Sequence, residues 1–307
     1  MFRECWNRLR LNLRAARLAA SGVWMDSADV AASYDCLAAT YDRHWAVRLC
    51  DTTNRLHERL PETLPEDGVI LELGCGSGGS TVFLRNKYAE SPLVAVDVSP
   101  RMIELAEAKL AGAKRPVEFH VADMLAFLRQ RPDNTAGLIF SGWAIGYSRP
   151  TEIVAEAARV LKPGGRLAVV VNRLETLPAV FDAFRRTLRQ YPQAVNKALW
   201  PRFPKGAALL TAASARNGLC VEFFEEAAIP IEPPPENRLN WLLGTGILAG
   251  FDAVLPLREP GVVQDFFANT LDQTETGWEH RYIMLIAAKS EPQSYQAGKM
   301  PANPGAG

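Results

Sequence analysis

Between Val69 and Val171 five short apolar runs recur at intervals that leave room for one helix each, and this beat restricts the fold more than any other feature. "VILEL" (69–73), "LVAVD" (93–97), "VEFHVAD" (117–123), "GLIFSG" (137–142) and "RLAVVV" (166–171) have the length and composition of strands. Helical patterns fall between them: Ser80 to Tyr88, the stretch that Ser99-Pro100 starts through Leu110, Met124 to Gln130, and Thr151 to Leu161. Pro163-Gly164-Gly165 turns the chain into the fifth strand. Strands alternating with helices at this spacing predict a doubly wound parallel α/β sheet.

After Val171 the beat breaks. A helix (Ala179 to Gln190), the Pro-rich turn "WPRFPKG" and a sheet-covering helix (Ala207 to Asn217) lead to a sixth strand, "CVEFFEEAAI" (220–229). "RYIMLIAAKS" (281–290) reads as a seventh. The segment between them is too long for a hairpin loop and too apolar for disorder, so it is expected to fold as a cap. The predicted layout is a leader or helix at 1–24, a helical lid at 25–68, the main domain at 69–290 with insertions at 172–204 and 230–280, and a disordered tail at 291–307. In the lid the helical pattern runs from Ser27, its expected cap, to Leu60, closed by Pro61 and Pro65.

Function concentrates in "VILELGCGSGGST" (69–81). Gly74, Gly76 and Gly79 follow a strand with the spacing of a dinucleotide fingerprint, and Asp97 ends the next strand where a ribose-binding acid belongs. Several nucleotide-type cofactors share that signal. Glu72 separates them, because a carboxylate about 5 Å from a phosphate charge opposes it by about 3 kcal/mol at an effective dielectric of about 20. S-adenosylmethionine has no phosphate, and its methionine part offers an ammonium and a sulfonium.

Four elements, "LELGCGSG", "VAVDVSPRMIELA", "VADM" and "ARVLKPGGRLAVV", together resemble the class I S-adenosylmethionine-dependent methyltransferases, in particular the ubiquinone/menaquinone biosynthesis group (methyltransferase type 11). The resemblance implies a seven-stranded Rossmann-like sheet whose last strand, 281–290, is antiparallel, and it implies S-adenosylmethionine as cofactor. "YDCLAATYDRHW" (34–45) is similar to the helix that many members fold over the cofactor, with Tyr41 closing the lid. By the same resemblance the cofactor residues are Glu72, Gly74, Cys75, Gly76, Gly78 and Ser141 around the loop, Asp97 on the ribose, Asp123 on the adenine amine, and Val98, Met102 and Met124 against the ring. Asp97 could instead cap its strand, and Asp123 the helix that follows it. Strand four departs from the family, beginning Ala136-Gly137 where members often have an aspartate, which predicts altered packing there. It ends in "FSGWAIGYS", unlike the signature of amine and amide methylation.

The expected reaction is methyl transfer to oxygen or carbon of a small, largely apolar or aromatic acceptor: a quinone, polyketide, terpenoid or lipid. Candidate bases are His44, His280 and Tyr147, with Glu175 as a further one. His57 and His120 are read as structural, His57 on a solvated helix face. Trp45, Trp143, Tyr147, Trp200, Trp241 and Phe251 are the expected acceptor wall, or else the cores of small cap helices. A non-catalytic S-adenosylmethionine-binding assembly partner and a nicotinamide-dependent oxidoreductase are the alternatives.

At the N-terminus Phe2, Trp6, Leu9, Leu13, Ala16 and Ala20 follow helical spacing, with Arg3, Arg10, Arg14 and Arg17 beside them. Such a helix can lie on an anionic membrane surface, pack on its own protein, or be leader sequence ahead of a start at Met25. Lys+Arg and Asp+Glu both number 34, so no net field draws the chain to nucleic acid. Cys5, Cys36, Cys50, Cys75 and Cys220 lack metal-ligand spacing and read as free thiols of a cytoplasmic protein, with peripheral membrane contact through residues 1–24 as one reading. The sequence leaves the oligomeric state open, a homodimer included.

Overall fold

The computed structural model describes residues 2–43, 47–199, 202–234 and 236–291. Helices α1 (Phe2–Ala20), α2 (Ser27–Tyr41) and α3 (Val47–His57) precede the sheet. The alternating half runs β1 (Val69–Leu73), α4 (Gly79–Lys87), β2 (Leu93–Asp97), α5 (Pro100–Leu110), β3 (Glu118–Val121), α6 (Met124–Arg129), β4 (Ala136–Gly142), α7 (Pro150–Val160) and β5 (Leu161–Asn172). The second half contains α8 (Pro178–Gln190), α9 (Ala207–Arg216), β6 (Leu219–Pro230), α10 (Arg238–Leu243), α11 (Phe251–Val254), α12 (Val262–Asp272) and β7 (Glu279–Lys289).

The seven strands form one sheet in the order β3-β2-β1-β4-β5-β7-β6. The first five pair in parallel, and β7 inserts antiparallel between β5 and β6. The strand order reverses at β1 and β4, so the loops after β1, β2 and β4 converge at one carboxyl edge, where ligands of such sheets bind. Both sheet faces are covered. Leu71 and Leu73 of β1 pack with Leu125, Val154 and Leu210 on one side, while Ile70 packs with Leu56 and Leu84 on the other. That two-sided burial is why these strands read as continuous apolar runs. A third cluster, built from Leu18 of α1, Phe184 of α8, Leu242 of α10, Phe251 of α11 and Phe267 of α12, forms a separate core beneath the cap.

The lid differs from its expected form. The pattern from Ser27 to Leu60 is two helices, α2 and α3. The cap of α2 is Asp26, one residue earlier than Ser27: its Oδ1 accepts from the amides of Ala28 and Asp29, and Asp29 reciprocates on the Asp26 amide. Packing at the start of β4 has a plain cause, since a Cβ on Gly68 would lie 2.8 Å from the Gly137 Cα. Two backbones meet there, and a Cβ at 137 would lie a tight 3.1 Å from the Gly68 Cα. The expected disordered tail falls almost wholly outside the described residues.

Candidate methyltransferase site

Two adjoining chambers lie at the carboxyl edge, sharing Tyr41, Gly74, Gly76, Gly142 and Trp143. The narrower one is bounded by the ends of β2 and β3 and roofed by α2. Asp97, Val98, Met102, Asp123 and Met124 line it from below and Val30, Tyr34 and Tyr41 from the lid. The wider one, about 370 Å³, lies between the glycine loop and α3. Its walls set polar groups, among them Asp42, Thr53, Asn54, Glu72, Ser77 and Lys109, among apolar surface from Tyr41, Val47, Leu49 and Trp143.

The loop glycines are not equivalent. Gly74 has φ +72°, and a Cβ there would lie 2.2 Å from the Ala144 Cβ, so this glycine serves the packing of two loops. Gly76 is also left-handed, at φ +52°, yet nothing lies within 4 Å of the position of its missing Cβ. Gly76 therefore presents bare backbone to both chambers, as a close-approaching ligand requires. Gly78 lines neither chamber. Cys75 and Glu72 line the wider one, while Ser141 is buried behind the loop and donates to the Leu73 carbonyl at 2.7 Å.

Asp97 is held at the end of β2 by two amides, Gly76 N to Oδ2 at 2.8 Å and Ser99 N to Oδ1 at 2.9 Å. Burial raises its pKa, and the amides of Ser99, Gly76 and Val98 pull it back. A carboxylate has about four acceptor positions, so two remain to meet the hydroxyls of a ribose. Asp123 caps α6, its Oδ1 accepting from the amides of Leu125 and Ala126 at 3.0 Å each. The capping role anticipated as its alternative is present, and the residue also lines the chamber.

Glu72 is almost fully buried, and its Oε2 has no hydrogen-bond partner in the protein. Burial pushes its carboxyl up to about 8; the Thr81 hydroxyl works the other way, and the Asp97 charge adds to the rise. An orphaned buried carboxyl in a chamber wall is the complement of a cationic ligand group.

The expected bases fare poorly. His280 is buried, faces Trp143 with ring centroids 5.1 Å apart, and lines neither chamber. Burial pushes it down to about 3, so no proton reaches it near neutrality. Tyr147 lines the narrow chamber and donates to the Gly246 carbonyl at 3.2 Å. Burial raises its pKa, which excludes a phenolate base at neutral pH and leaves it as wall. Glu175 is exposed beside Arg173, away from the chambers. His44, Trp45 and Trp200 lie outside the described residues. His57 is not on a solvated face: it is buried, stacked on Phe83 at 4.0 Å and within 3.1 Å of the Ser80 hydroxyl. Burial lowers its pKa to about 4, so it meets the wider chamber as a neutral imidazole.

Of the expected acceptor wall, Trp143 lines both chambers. It takes φ +67°, an uncommon angle for a large residue, fixed by its indole donating to Thr53 Oγ1 at 3.0 Å. Phe251 packs against Phe181 and Phe184 in the cap core, and Trp241 lies under the Arg48 guanidinium; neither lines these chambers.

Sequence reasoning missed the ties of the lid. Asp35 accepts from Ser99 Oγ at 2.6 Å and from the Arg101 amide at 3.2 Å. Asp42 accepts from both Ser77 of the glycine loop and Lys109 of α5. The signal was present as the doublet Tyr34-Asp35 and Tyr41-Asp42: a seven-residue repeat puts both pairs on one helix face.

A profile of the methyltransferase domain family matches residues 70–165. The match runs from β1 into the start of β5 and makes that segment a methyltransferase domain. The chain is 36% identical over 155 residues to malonyl-acyl-carrier-protein O-methyltransferase of Hahella chejuensis, covering 50% of this chain and 53% of that one. It is 28% identical over 232 residues to trans-aconitate 2-methyltransferase of Streptomyces coelicolor, covering 70% and 72%. The chain spans about half the length of the malonyl-acyl-carrier-protein relatives it matches. Among solved structures, geranyl diphosphate C-methyltransferase of Streptomyces coelicolor aligns with a TM-score of 0.46 at 16% identity, covering 78% of this chain and 79% of that one.

Proposed function

We propose that this chain binds S-adenosylmethionine across the two chambers and transfers its methyl group to a small acceptor bearing an ionised oxygen. The observation that carries the cofactor reading is the pair of buried acids flanking the open backbone of Gly76, Asp97 toward the narrow chamber and the orphaned Glu72 toward the wider one. A diol and an ammonium suit that arrangement, and a pyrophosphate does not; Lys109, the cation in the wall, is already matched by Asp42. Asp97 would hold the ribose, Asp123 the adenine amine, Met102 and Met124 the ring faces, and Glu72 the ammonium. When bound, the cofactor supplies a methyl group on a sulfonium leaving group.

This chain contributes alignment and exclusion of water rather than proton transfer. Among the described residues His57 and His280 are poor bases by burial, and burial raises the Tyr147 pKa, which favours an acceptor that arrives already ionised. A carboxylate meets that need without a base, and the substrates named for both relatives are carboxylic acids. Thr53, Asn54, Ser77 and Ser80 in the wider chamber can meet such a carboxylate, while Leu49 and Trp143 of the same wall suit an apolar remainder of the acceptor; Trp241 and Phe251 pack in the cap core.

The test has two arms. Calorimetry compares S-adenosylmethionine with a nicotinamide dinucleotide, and preference for the dinucleotide defeats the cofactor reading. Transfer of labelled methyl across a panel of di- and tricarboxylic acids, quinols and terpenoids then tests the acceptor; methylation confined to neutral members defeats the carboxylate reading alone.

A further inference from the structure

Helix α1 has two apolar faces, and only one is used. Leu11, Leu18 and Ala19 pack into the cap core, and Arg14 Nε donates to the Val195 carbonyl at 2.9 Å. The stripe that stands out in the sequence points the other way, with Trp6, Leu9 and Leu13 at 60%, 49% and 62% exposure and Ala16 and Ala20 exposed in line with them. Residues 6–24 hold five of the ten exposed large hydrophobic side chains among the described residues. Solvent does not favour that concentration, and no element of the described fold covers it.

The charge around the stripe indicates its partner. Residues 1–24 contain five arginines and one acid, in a chain whose charges as a whole balance to zero. Arg10 and Arg17 are exposed beside the stripe, and the helix that α1 packs on, α8, adds exposed Arg185, Arg186 and Arg189 with Asp182 as its one acid. We infer that the outer face of α1 docks on an anionic lipid surface, with Trp6, Leu9 and Leu13 entering the headgroup–acyl boundary and the arginines meeting lipid phosphates. An indole and two leucines flanked by arginines, on a helix lying flat against a rigid body, have the composition of an interfacial helix. No described helix is long and apolar enough to cross a membrane, so the contact is peripheral. A second copy of the chain fits the face less well, because a two-fold contact sets the same patch against itself and brings arginine against arginine. An acidic protein would satisfy the arginines but gives no account of the apolar stripe.

Flotation of the full chain with vesicles tests this. Binding is expected to phosphatidylcholine vesicles containing phosphatidylglycerol and to be at least about tenfold weaker on phosphatidylcholine alone, as each arginine near an anionic surface contributes about fivefold. Leu13→Glu should lower binding by about tenfold or more at a nearly unchanged melting temperature, since Leu13 is mostly exposed and belongs to no core cluster. Arg10→Glu with Arg17→Glu should abolish the preference for anionic vesicles. The idea is overturned if the chain ignores both vesicle types or if Leu13→Glu floats as well as the parent. Light scattering that finds a dimer which Leu13→Glu dissociates overturns it in favour of a second copy.

Discussion

The sheet half and the helical half of this molecule bury similar side chains by different rules. β1, β2, β4 and β5 are covered on both faces, and the residues at strand ends, Glu72, Asp97 and Trp143, are delivered to one edge by the topology itself. In the cap no backbone ladder decides what an apolar face meets. Phe251 closes the cap on itself, and α1 packs through Leu11 and Leu18 while its more prominent stripe faces out. On the proposed function the chemistry belongs to the strand ends, and the cap supplies stability and an outer surface. Substitutions in the two halves should separate along that line.

The largest separation is expected at Asp97. Asp97→Ala removes both ribose contacts and the carboxylate that holds the Gly76 and Ser99 amides. At about 1.5–3 kcal/mol for each charge-assisted hydrogen bond, affinity for S-adenosylmethionine should fall more than a hundredfold. Calorimetry giving an unchanged affinity on a folded variant would place the cofactor elsewhere.

Glu72→Gln comes next and carries a pH signature. The Glu72 carboxyl is held at about 8 by burial, whereas an unfolded glutamate titrates near about 4.3. Between those values the folded chain keeps a proton that the unfolded chain has lost, so this group makes stability fall as pH rises. The glutamine variant should melt above the parent at pH 8, with the gap closing toward pH 5. An ammonium ligand reverses the preference, so the parent's cofactor affinity should rise from pH 6 to 8 and then level off. The variant should bind about tenfold or more weakly with that slope gone; an equal slope in both proteins would remove Glu72 from the ammonium site.

How much of this could be read in the sequence follows from the same contrast. Two-sided burial writes itself into "VILEL" and "LVAVD" as uninterrupted apolar runs, and strand ends are fixed once strands are. The acids and most of the glycine loop were legible for that reason. His57 was not, because its helix looks solvated in isolation and is buried by the approach of Phe83. Trp241 and Phe251 stood between acceptor wall and cap core in the sequence because aromatic spacing says that a ring is buried without saying by what. The role of Gly137 against Gly68 needed the neighbouring backbone.

In the cap the effects should fall on stability. Removing residues 1–24 deletes Leu18 and the Arg14 bond to Val195, so the truncated chain should melt well below the parent, contrary to a dispensable leader. Leu18→Ala alone should cost about 2–3 kcal/mol, read from denaturant unfolding, with cofactor affinity within about twofold of the parent. Trp241→Ala should cost about 1–2 kcal/mol and leave turnover largely intact, because the indole lies under Arg48 outside both chambers. A strong loss of turnover on a stable fold would return Trp241 to the acceptor wall.

The smallest effect tests the seam where the halves meet. Asp42 ties the end of the lid helix to Ser77 of the glycine loop and Lys109 of α5, with side chains that are partly exposed. Exposed ion pairs contribute about 0–1 kcal/mol, so Asp42→Ala should leave the melting temperature nearly unchanged. The tie stands in the wall of the wider chamber, however, and α2, which it anchors, roofs the narrower one through Tyr34 and Tyr41. Loosening it should free the roof without touching the floor. Stopped-flow measurement should then show cofactor dissociation about three- to tenfold faster and association little changed, the usual place for an affinity change among closely related variants. Asp35→Ala, which frees the middle of the same helix from Ser99, should add to that rate in the double variant if the lid moves as one body. Dissociation rates equal to the parent in both would mean that the lid is held by Leu37, Ala38 and Met102 packing alone, and that the seam between the halves is apolar rather than polar.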